Sequence, residues 1–281
     1  MLMFFYINYR ITVDDIADFL AGKSRIRRSI LWRGLITSQL DADRADYLLR
    51  DSYHIGVQYG KYDLNRLLVT LTVCSDENEE PVLAVEKGGW HTAEGLILAR
   101  YMMFTQVYFQ HSRRAYDYHV AKAMKHLLNE VQSCTCSHRG KFPPPITKEN
   151  IEDYLTWDDW LVLGLLQTGG GGEHGKILRE RKHHRAVFET TETPAVEELT
   201  RLEEVCNNLG EMVSFIDQAE KSWYKFGEED INIYDDKDNS RSKTILLSSL
   251  SSVVKGLNAV KQKRVYVSLE RKEQAKKILG G

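Results

Sequence analysis

The spacing of apolar and polar side chains changes once along the chain, near residue 180. Before that point, apolar residues recur every three or four positions through residues 91–134 and again through 146–166, which is the period of an amphipathic helix. Beyond it, short β-branched and aromatic runs alternate with helical stretches. The pattern therefore predicts a mainly α protein, with a helical domain over residues 1–180 and a smaller α+β lobe over residues 181–281.

Capping residues and glycines set the boundaries of the individual elements. Thr12 with Asp15 three residues later is typical of a helix start, and Gly22 and Gly56 stand where two helices should end. In the first domain we predict helices at residues 11–21 and 40–55, and a β-hairpin of strands at residues 69–74 and 81–85. In the lobe we predict strands at residues 186–190, 212–217, 230–234 and 264–269, with helices at 196–209 and 246–257.

The second of these helices carries many polar side chains on one face. Spacings of three and four place Asp43, Tyr47, Arg50, Asp51 and His54 within one narrow arc. This face is either the solvated side of an amphipathic helix or the wall of a site. The spacing alone leaves both interpretations open.

Two stretches of the sequence carry a more specific pattern. Residues 41–47 read Asp-Ala-Asp-Arg-Ala-Asp-Tyr and are followed by Arg-Asp-Ser at 50–52, while residues 112–116 read Ser-Arg-Arg-Ala-Tyr. In these stretches the chain resembles the HD-domain phosphohydrolases, and among them the branch that includes the deoxynucleoside triphosphate triphosphohydrolases. The resemblance covers most of the chain from about residue 36. It implies an HD-like helical domain, incomplete at its amino-terminal end, and metal-dependent hydrolysis of nucleotide phosphates.

The resemblance also assigns roles to single residues. It makes Asp43 a ligand of a divalent metal ion (Mn, Mg, Fe or Zn), and it assigns no catalytic residue. It implies a set of residues that contact the phosphates, the sugar or the rest of the nucleotide: Arg44, Tyr47, Asp51, His54, Arg113, Arg114 and Tyr116. We expect Asp43, Tyr47 and Asp51 to face a shared cavity.

The chain departs from the family pattern in its histidines. The family is named for an H…HD arrangement upstream of this helix, which supplies three further metal ligands. Here no histidine precedes His54, and none of the nine histidines is followed by aspartate. Because metal affinity requires several converging donors, we expect this chain to hydrolyse deoxynucleoside triphosphates feebly or not at all. It is interpreted as a shortened or inactive form of a phosphohydrolase, and the alternative is a catalytically inactive nucleotide-binding or assembly module.

The composition of the chain limits the classes of binding partner and the cellular compartments that we expect. A net charge of −2 shows no basic bias toward nucleic acid or anionic membranes. The apolar run at residues 1–10 is too short to span a bilayer, and it lacks the features of a signal peptide. Four cysteines in 281 residues do not indicate a disulfide framework. We therefore expect a cytoplasmic protein with a nucleotide substrate and without a membrane or nucleic-acid partner, and the resemblance implies a homo-oligomer.

Two further motifs have a metal or phosphate interpretation. Cys134, Cys136 and His138 are possible zinc ligands at an uncommon spacing, which favours a helix end with two thiols. Residues 170–176 fit the G-x-x-x-x-G-K pattern of a phosphate-binding loop. However, Ile177 replaces the Ser or Thr that binds magnesium, so we predict a flexible connection between helices there.

Overall fold

The chain forms two compact units that each contain two separate segments of sequence. The computed structural model describes residues 10–23, 27–75, 79–131, 141–142, 144–221, 224, 230–237 and 244–280. Unit one comprises residues 1–107 and 221–259, and unit two comprises residues 108–220 and 260–281. Each unit is described by itself.

The first four helices that the structure describes belong to unit one. They are α1 (Val13–Ala21), α2 (Arg27–Thr37), α3 (Ala42–Ile55) and α4 (Leu64–Thr70). At the start of α1, the Thr12 side chain accepts a hydrogen bond from the Asp15 N–H and the Asp15 carboxylate accepts one from the Thr12 N–H. Gly22 ends this helix in the left-handed region, with φ of 70°. The predicted helix at residues 11–21 and its capping box are confirmed.

Helix α3 is bounded by two capping residues. The Asp41 carboxylate accepts a hydrogen bond from the Arg44 N–H at 2.6 Å, so the helix begins at Ala42, two residues later than predicted. Gly56 ends the helix with φ of 79°, a conformation that costs a residue with a Cβ atom more than it costs glycine. After the helix the chain returns at Gly60, where an added Cβ would lie 2.2 Å from the Leu48 carbonyl oxygen. The turn at Gly60 thus requires glycine for close approach to the helix.

The sheet of unit one joins strands that lie far apart in sequence. It contains β1 (Leu71–Ser75), β2 (Pro81–Glu86), β5 (Asn232–Tyr234) and β6 (Thr244–Leu246), in the order β1-β2-β5-β6. Strands β1 and β2 form the predicted antiparallel hairpin, and β2 pairs in parallel with β5. At the centre of this pairing Val85 lies opposite Ile233, and both are fully buried.

Helix α5 (Trp90–Met103) packs against this sheet, and two short helices follow its last strand, β6. Helix α5 also contacts α3 and α4. The single helix predicted at residues 246–257 is wrong: β6 is followed by two short helices, α11 (Leu247–Leu250) and α12 (Ser252–Gly256). At the break, the Ser251 hydroxyl accepts a hydrogen bond from the Val254 N–H and donates one to Glu94, 157 residues earlier in the chain. Ser251 therefore caps a new helix instead of continuing the old one.

Unit two packs helices on both faces of a three-stranded sheet. Its elements are α6 (His111–Val131), α7 (Lys148–Leu155), α8 (Asp159–Gln167), α9 (Gly172–Glu180), β3 (Arg185–Glu189), α10 (Val196–Leu209), β4 (Val213–Lys221), β7 (Val260–Val267) and α13 (Lys272–Ile278). The strand order is β3-β7-β4. One face of the sheet forms an apolar cluster with α10 and α13. On the other face the Phe215 ring stacks on the rings of Tyr118 and Tyr266, with centroid distances of 3.8 and 4.4 Å. The predicted helix at residues 196–209 is confirmed.

The glycine-rich segment connects α8 to α9 as predicted, but residues 172–176 are already helical and not part of a flexible connection. Helix α9 already begins at Gly172. An added Cβ on Gly175 would lie 2.1 Å from the Gly170 carbonyl oxygen, so the glycine permits close backbone packing. The zinc motif at Cys134, Cys136 and His138 lies outside the described residues.

The predicted fold class is confirmed, since the protein is mainly helical with smaller sheet regions. The predicted domain boundary at residue 180 does not coincide with the boundaries of the two units, because residues 221–259 belong to unit one. Ile231, Ile233 and Leu247 are buried in that segment, and this burial joins it to the hairpin sheet. Among the described residues, no helix has both the length and the hydropathy needed to cross a bilayer.

Candidate functional site

The predicted site residues fall in both units. Asp43, Arg44, Tyr47, Asp51 and His54 lie on helix α3 of unit one. The R-R-A-Y segment at residues 113–116 lies in the first two turns of helix α6 in unit two, and it contributes the three predicted residues Arg113, Arg114 and Tyr116. The two groups are therefore described separately.

The α3 residues differ in exposure. Asp43 lies in the first turn of the helix and its side chain is exposed, whereas Tyr47 and Asp51 are half-buried. His54, in the last turn, is exposed and sets its ring edge-on to Tyr53 at 5.4 Å. The expectation that Asp43 would face inward with Tyr47 and Asp51 is thus not met, because the first turn of α3 leaves its carboxylate open to water.

Arg44 is held at the start of α3 by three acceptors. Its Nε lies 3.1 Å from the buried carboxylate of Asp41, and its Nη1 donates to the Ser38 carbonyl oxygen at 2.7 Å. The same Nη1 lies 3.5 Å from the Gln39 Oε1 atom. The guanidinium is therefore oriented by the segment that precedes the helix and not by solvent.

A second arginine, Arg100, lies beside this group and was not assigned to the site from the sequence. It extends from α5, is 7% exposed, and its Nη1 lies 3.5 Å from the same Gln39 Oε1 atom. Burial and the charge of Arg44 lower the pKa of Arg100, while a hydrogen bond with Tyr47 raises it. Burial likewise raises the pKa of Tyr47. A sequence signal existed: Arg100 follows the buried Ala93, Leu96 and Ile97 at helical spacing, so it occupies a core position of α5.

The residues around Asp43 do not complete a metal site. Within the described ranges, no group of three or more His, Cys, Asp or Glu side chains is arranged to hold a metal ion. Asp43 supplies one carboxylate, and one donor does not hold a divalent ion against water. The donor set of the described residues therefore does not fit the metal that the family resemblance implies.

In unit two, the two arginines of the R-R-A-Y segment have different partners. Arg114 forms a two-pronged pair with Asp217, with its Nε 3.0 and 3.1 Å from the two carboxylate oxygens, and this pairing raises the pKa of Arg114. Asp217 is buried and also lies 3.9 Å from Arg264. Arg113 is more exposed and donates to the Tyr108 carbonyl oxygen at 2.9 Å. Arg114 is thus part of an internal ion-pair chain, and the substrate assignment of both arginines stays a prediction.

Tyr116 lies next to His183, which precedes strand β3 by two residues. Its ring centroid is 4.4 Å from that of His183, with the planes tilted by 39°. His183 is 8% exposed and its Nε2 accepts from the Arg185 guanidinium. Tyr116 itself is half-buried, so part of its ring is covered within unit two. Its predicted contact with the nucleotide is untested.

A buried histidine cluster lies one turn further along α6. His119 is fully buried, its Nε2 accepts from the His184 N–H at 3.2 Å, and its Nδ1 lies 2.8 Å from the Nδ1 of His174. Because Nε2 is an acceptor, the neutral ring carries its proton on Nδ1 and donates it to His174. Burial, together with the charges that His184, His174 and His183 would carry, lowers the pKa of His119 to about 3.

This cluster makes the stability of the protein depend on pH. The unfolded chain binds a proton at His119 near pH 6.5, whereas the folded state keeps the ring neutral down to about pH 3. The stabilising contribution is therefore complete above pH 6.5 and is lost as the pH falls toward 3. We expect the free energy of unfolding in urea to fall by up to about 1.4 kcal/mol per pH unit for this group between pH 6.5 and 5.

The variant His119→Gln should make that pH slope shallower, because the amide oxygen still accepts from the His184 N–H but does not titrate. His91→Gln is the control, since His91 is 72% exposed in its side chain and should leave the slope unchanged. An equal slope in wild type and His119→Gln would contradict the assignment.

Sequence comparison finds one family model and two curated relatives that match parts of this chain. The sequence model of the HD associated region matches residues 62–138. An uncharacterized Bacillus subtilis protein, YwfO, is 30% identical over 192 residues, which cover 66% of this chain and 42% of the relative. An uncharacterized Methanocaldococcus jannaschii protein is 36% identical over 178 residues, which cover 63% of this chain and 35% of the relative. The chain therefore spans about two fifths of the length of the curated relatives it matches.

Two solved structures share the architecture. A hypothetical protein from Aquifex aeolicus aligns over 99% of this chain and 69% of its own, with a TM-score of 0.75 and 25% identity. A phosphohydrolase from Bacteroides thetaiotaomicron aligns over 95% of this chain and 70% of its own, with a TM-score of 0.67 and 18% identity. Residues 62–138 thus match the HD associated region, and the chain has a fold that it shares with a solved phosphohydrolase.

Proposed function

We propose that this chain belongs to a metal-dependent nucleotide phosphohydrolase of the HD superfamily that acts on deoxynucleoside triphosphates. The observation that carries the proposal is the first two turns of α3, where Asp43 is exposed, the next residue, Arg44, has its guanidinium oriented by Asp41 and Ser38, and Tyr47 follows one turn later. The match to the HD associated region and the fold shared with a phosphohydrolase support it.

In this proposal the residues of α3 contact different parts of the substrate. Arg44 neutralises charge on the phosphates, because a guanidinium forms strong charge-assisted hydrogen bonds to phosphate oxygens. Tyr47 and Asp51, one and two turns further along, hydrogen-bond the sugar hydroxyl. Asp43 provides one metal ligand, and since the described donors do not complete the site, the proposal assigns the other ligands to an H…HD segment. Tyr116, Arg113, Arg114 and His54 remain predicted substrate contacts.

A second candidate is a catalytically inactive nucleotide-binding or assembly module. It is favoured by the donor count, since Asp43 has no group of metal-binding partners among the described residues. Both candidates place the protein in the cytoplasm and in a homo-oligomer, and these two assignments are part of the proposal.

The test is a comparison of two proteins in a phosphate-release assay with Mn²⁺ or Mg²⁺ and each deoxynucleoside triphosphate. We expect the 281-residue chain to turn over feebly or not at all, and a version extended on its amino-terminal side by an H…HD segment from a family member to gain metal-dependent turnover. An extended protein that binds nucleotide without hydrolysing it would favour the inactive module. Robust turnover by the 281-residue chain that survives Asp43→Ala would contradict the assigned site.

A further inference from the structure

A pair of histidines joins the start of helix α9 to helix α6. The Nδ1 atom of His174, in the first turn of α9, lies 2.8 Å from the Nδ1 atom of His119 on α6. The Nε2 atom of His119 is engaged on the other side of the ring, where it accepts from the His184 N–H. His119 therefore donates through Nδ1, and the Nδ1 atom of His174 has to be unprotonated to accept.

This arrangement has no place for an additional proton. If His174 gains a proton on Nδ1, two N–H groups face each other and the hydrogen bond between the rings is lost. Moving the proton of His119 to Nε2 would restore that bond, but this N–H would then face the N–H of His184. Whenever the pair takes up a proton, one of its two hydrogen bonds is therefore lost.

The start of α9 lies close against α6 because glycines permit it. A Cβ atom added to Gly172 would collide with the His126 ring, and one added to Gly171 would lie 3.2 Å from the Ala123 Cβ atom. Ala123, His126 and His119 share one face of α6, since they are spaced by three and four positions. Glycines bury little apolar surface, so the hydrogen bond between the histidines carries a larger share of the attachment.

The charged and titratable groups around His174 come from three parts of unit two. They are Glu173 on α9, His119, Lys122 and His126 on α6, and His184 before β3, with Glu130 paired to His126 and Glu270 near His184. Burial has the largest effect and lowers the pKa of His174, Glu173 raises it, and the cations of α6 lower it again, so the net change is downward. The His174 ring is therefore neutral at pH 7, as the hydrogen bond requires.

We propose that His119 and His174 form a pH-sensitive latch that holds the start of α9 against α6 at neutral pH and releases it on acidification. This inference goes beyond the proposed function and does not rest on it. The released state is a local opening of unit two, in which the rest of the unit stays folded. It differs from the global unfolding in urea that is predicted above for His119.

The direction of the pH dependence follows from linkage. In the released state the pKa of His174 returns to its ordinary value of 6.5, whereas in the closed state it is lower. The latch is therefore fully effective above pH 6.5 and weakens as the pH falls toward the closed-state pKa. Across that range the equilibrium constant for opening rises by up to about tenfold per pH unit for this one group.

Amide hydrogen exchange of the 281-residue chain, measured between about pH 7.5 and 5 and corrected for intrinsic rates, tests the latch. The N–H of Gly175, which donates to the Gly171 carbonyl oxygen at 2.8 Å, reports release of α9. The N–H of Val265, a fully buried residue of β7, reports global unfolding. We expect Gly175 to be less protected than Val265, with protection that falls as the pH falls. Equal protection at both positions would mean that α9 opens only when the whole unit unfolds, and the inference would be wrong.

The variant His174→Gln removes the titrating group but keeps an acceptor, because its amide oxygen can accept from the His119 Nδ1–H. Its protection at Gly175 should change less steeply with pH than in wild type, by up to about tenfold per pH unit. His111→Gln is the matched control, since His111 is exposed at the start of α6 and should leave the wild-type dependence unchanged. The same dependence in His174→Gln and wild type would overturn the inference.

A measurement on the wild-type protein alone gives an independent check. The ring of His174, followed by NMR, should titrate below pH 6.5 over the same range in which Gly175 loses protection. Titration of the ring without loss of protection would show that the hydrogen bond does not hold α9 in place, which contradicts the latch.

Discussion

Replacing Asp43 by alanine in the protein extended by an H…HD segment is expected to reduce deoxynucleoside triphosphate hydrolysis by more than about 100-fold. That figure is the upper end of what the loss of an outer-shell residue costs a metal site, and a direct ligand should cost more. Asp43 is exposed in the first turn of α3, so the substitution removes no packed side chain and should leave the melting temperature nearly unchanged. The measurement is kcat/KM at saturating Mn²⁺, with unfolding followed in parallel.

The matched control for this prediction is Asp46→Ala. Asp46 lies on the same helix and is also exposed, and its carboxylate forms a surface ion pair with Arg50. Surface pairs of this kind contribute about 1 kcal/mol or less to stability, and Asp46 has no assigned role in the site. Asp46→Ala should keep kcat/KM within about twofold of wild type. An equal loss of activity in both variants would mean that turnover depends only on the net negative charge of α3. The assignment of Asp43 as a metal ligand would then be wrong.

Replacing Asp217 by asparagine is expected to lower the free energy of unfolding by about 3–5 kcal/mol, the usual cost of breaking a buried ion pair from one side. The substitution keeps the shape of the side chain but leaves Arg114 without its two-pronged partner and removes a charge 3.9 Å from Arg264. Arg264 is 4% exposed and remains charged, so its solvation is not recovered. Urea-induced unfolding at pH 7 measures the change.

The control residue for Asp217 is Glu189, which pairs with Arg264 from the solvent-exposed side. The Glu189 side chain is 55% exposed and accepts from the Arg264 Nε at 2.9 Å. Because water replaces an exposed partner readily, Glu189→Gln should cost about 1 kcal/mol or less. Equal losses in the two variants would show that burial does not set the strength of this ion-pair chain.

Much of the local structure could be predicted from the sequence. The capping box at Thr12 and Asp15, the glycine end of α3, the hairpin of β1 and β2, and helix α10 all appear where the pattern indicates. Each of these features depends on contacts between residues close together in the chain. A capping side chain or a turn glycine acts on backbone groups three to five residues away. Both partners of such a contact therefore lie within one short stretch of the sequence.

Part of the candidate site could be predicted in the same way. The polar residues of α3 share one face because they recur at helical spacing, and the motif singled out Asp43 and Arg44. The exposure of Asp43 could not be predicted, since it depends on what packs around the first turn. Helical spacing indicates that Arg100 occupies a core position, but its contact with Gln39, 61 residues earlier in the chain, follows from no local pattern.

The sequence by itself therefore determined helices α1, α3 and α10, the glycine ends of α1 and α3, the hairpin and the polar face of α3. Only the tertiary structure decided that β5 pairs with β2, that Arg100 meets Arg44 at Gln39, and that His119 is buried against His174. The reason is physical: apolar burial is non-directional, so the buried run at Ile231 and Ile233 could cover many apolar surfaces equally well. Which surface it covers is settled by the packing of the whole chain, and long-range partners such as Lys87 and Asp235, 148 residues apart, become neighbours only then.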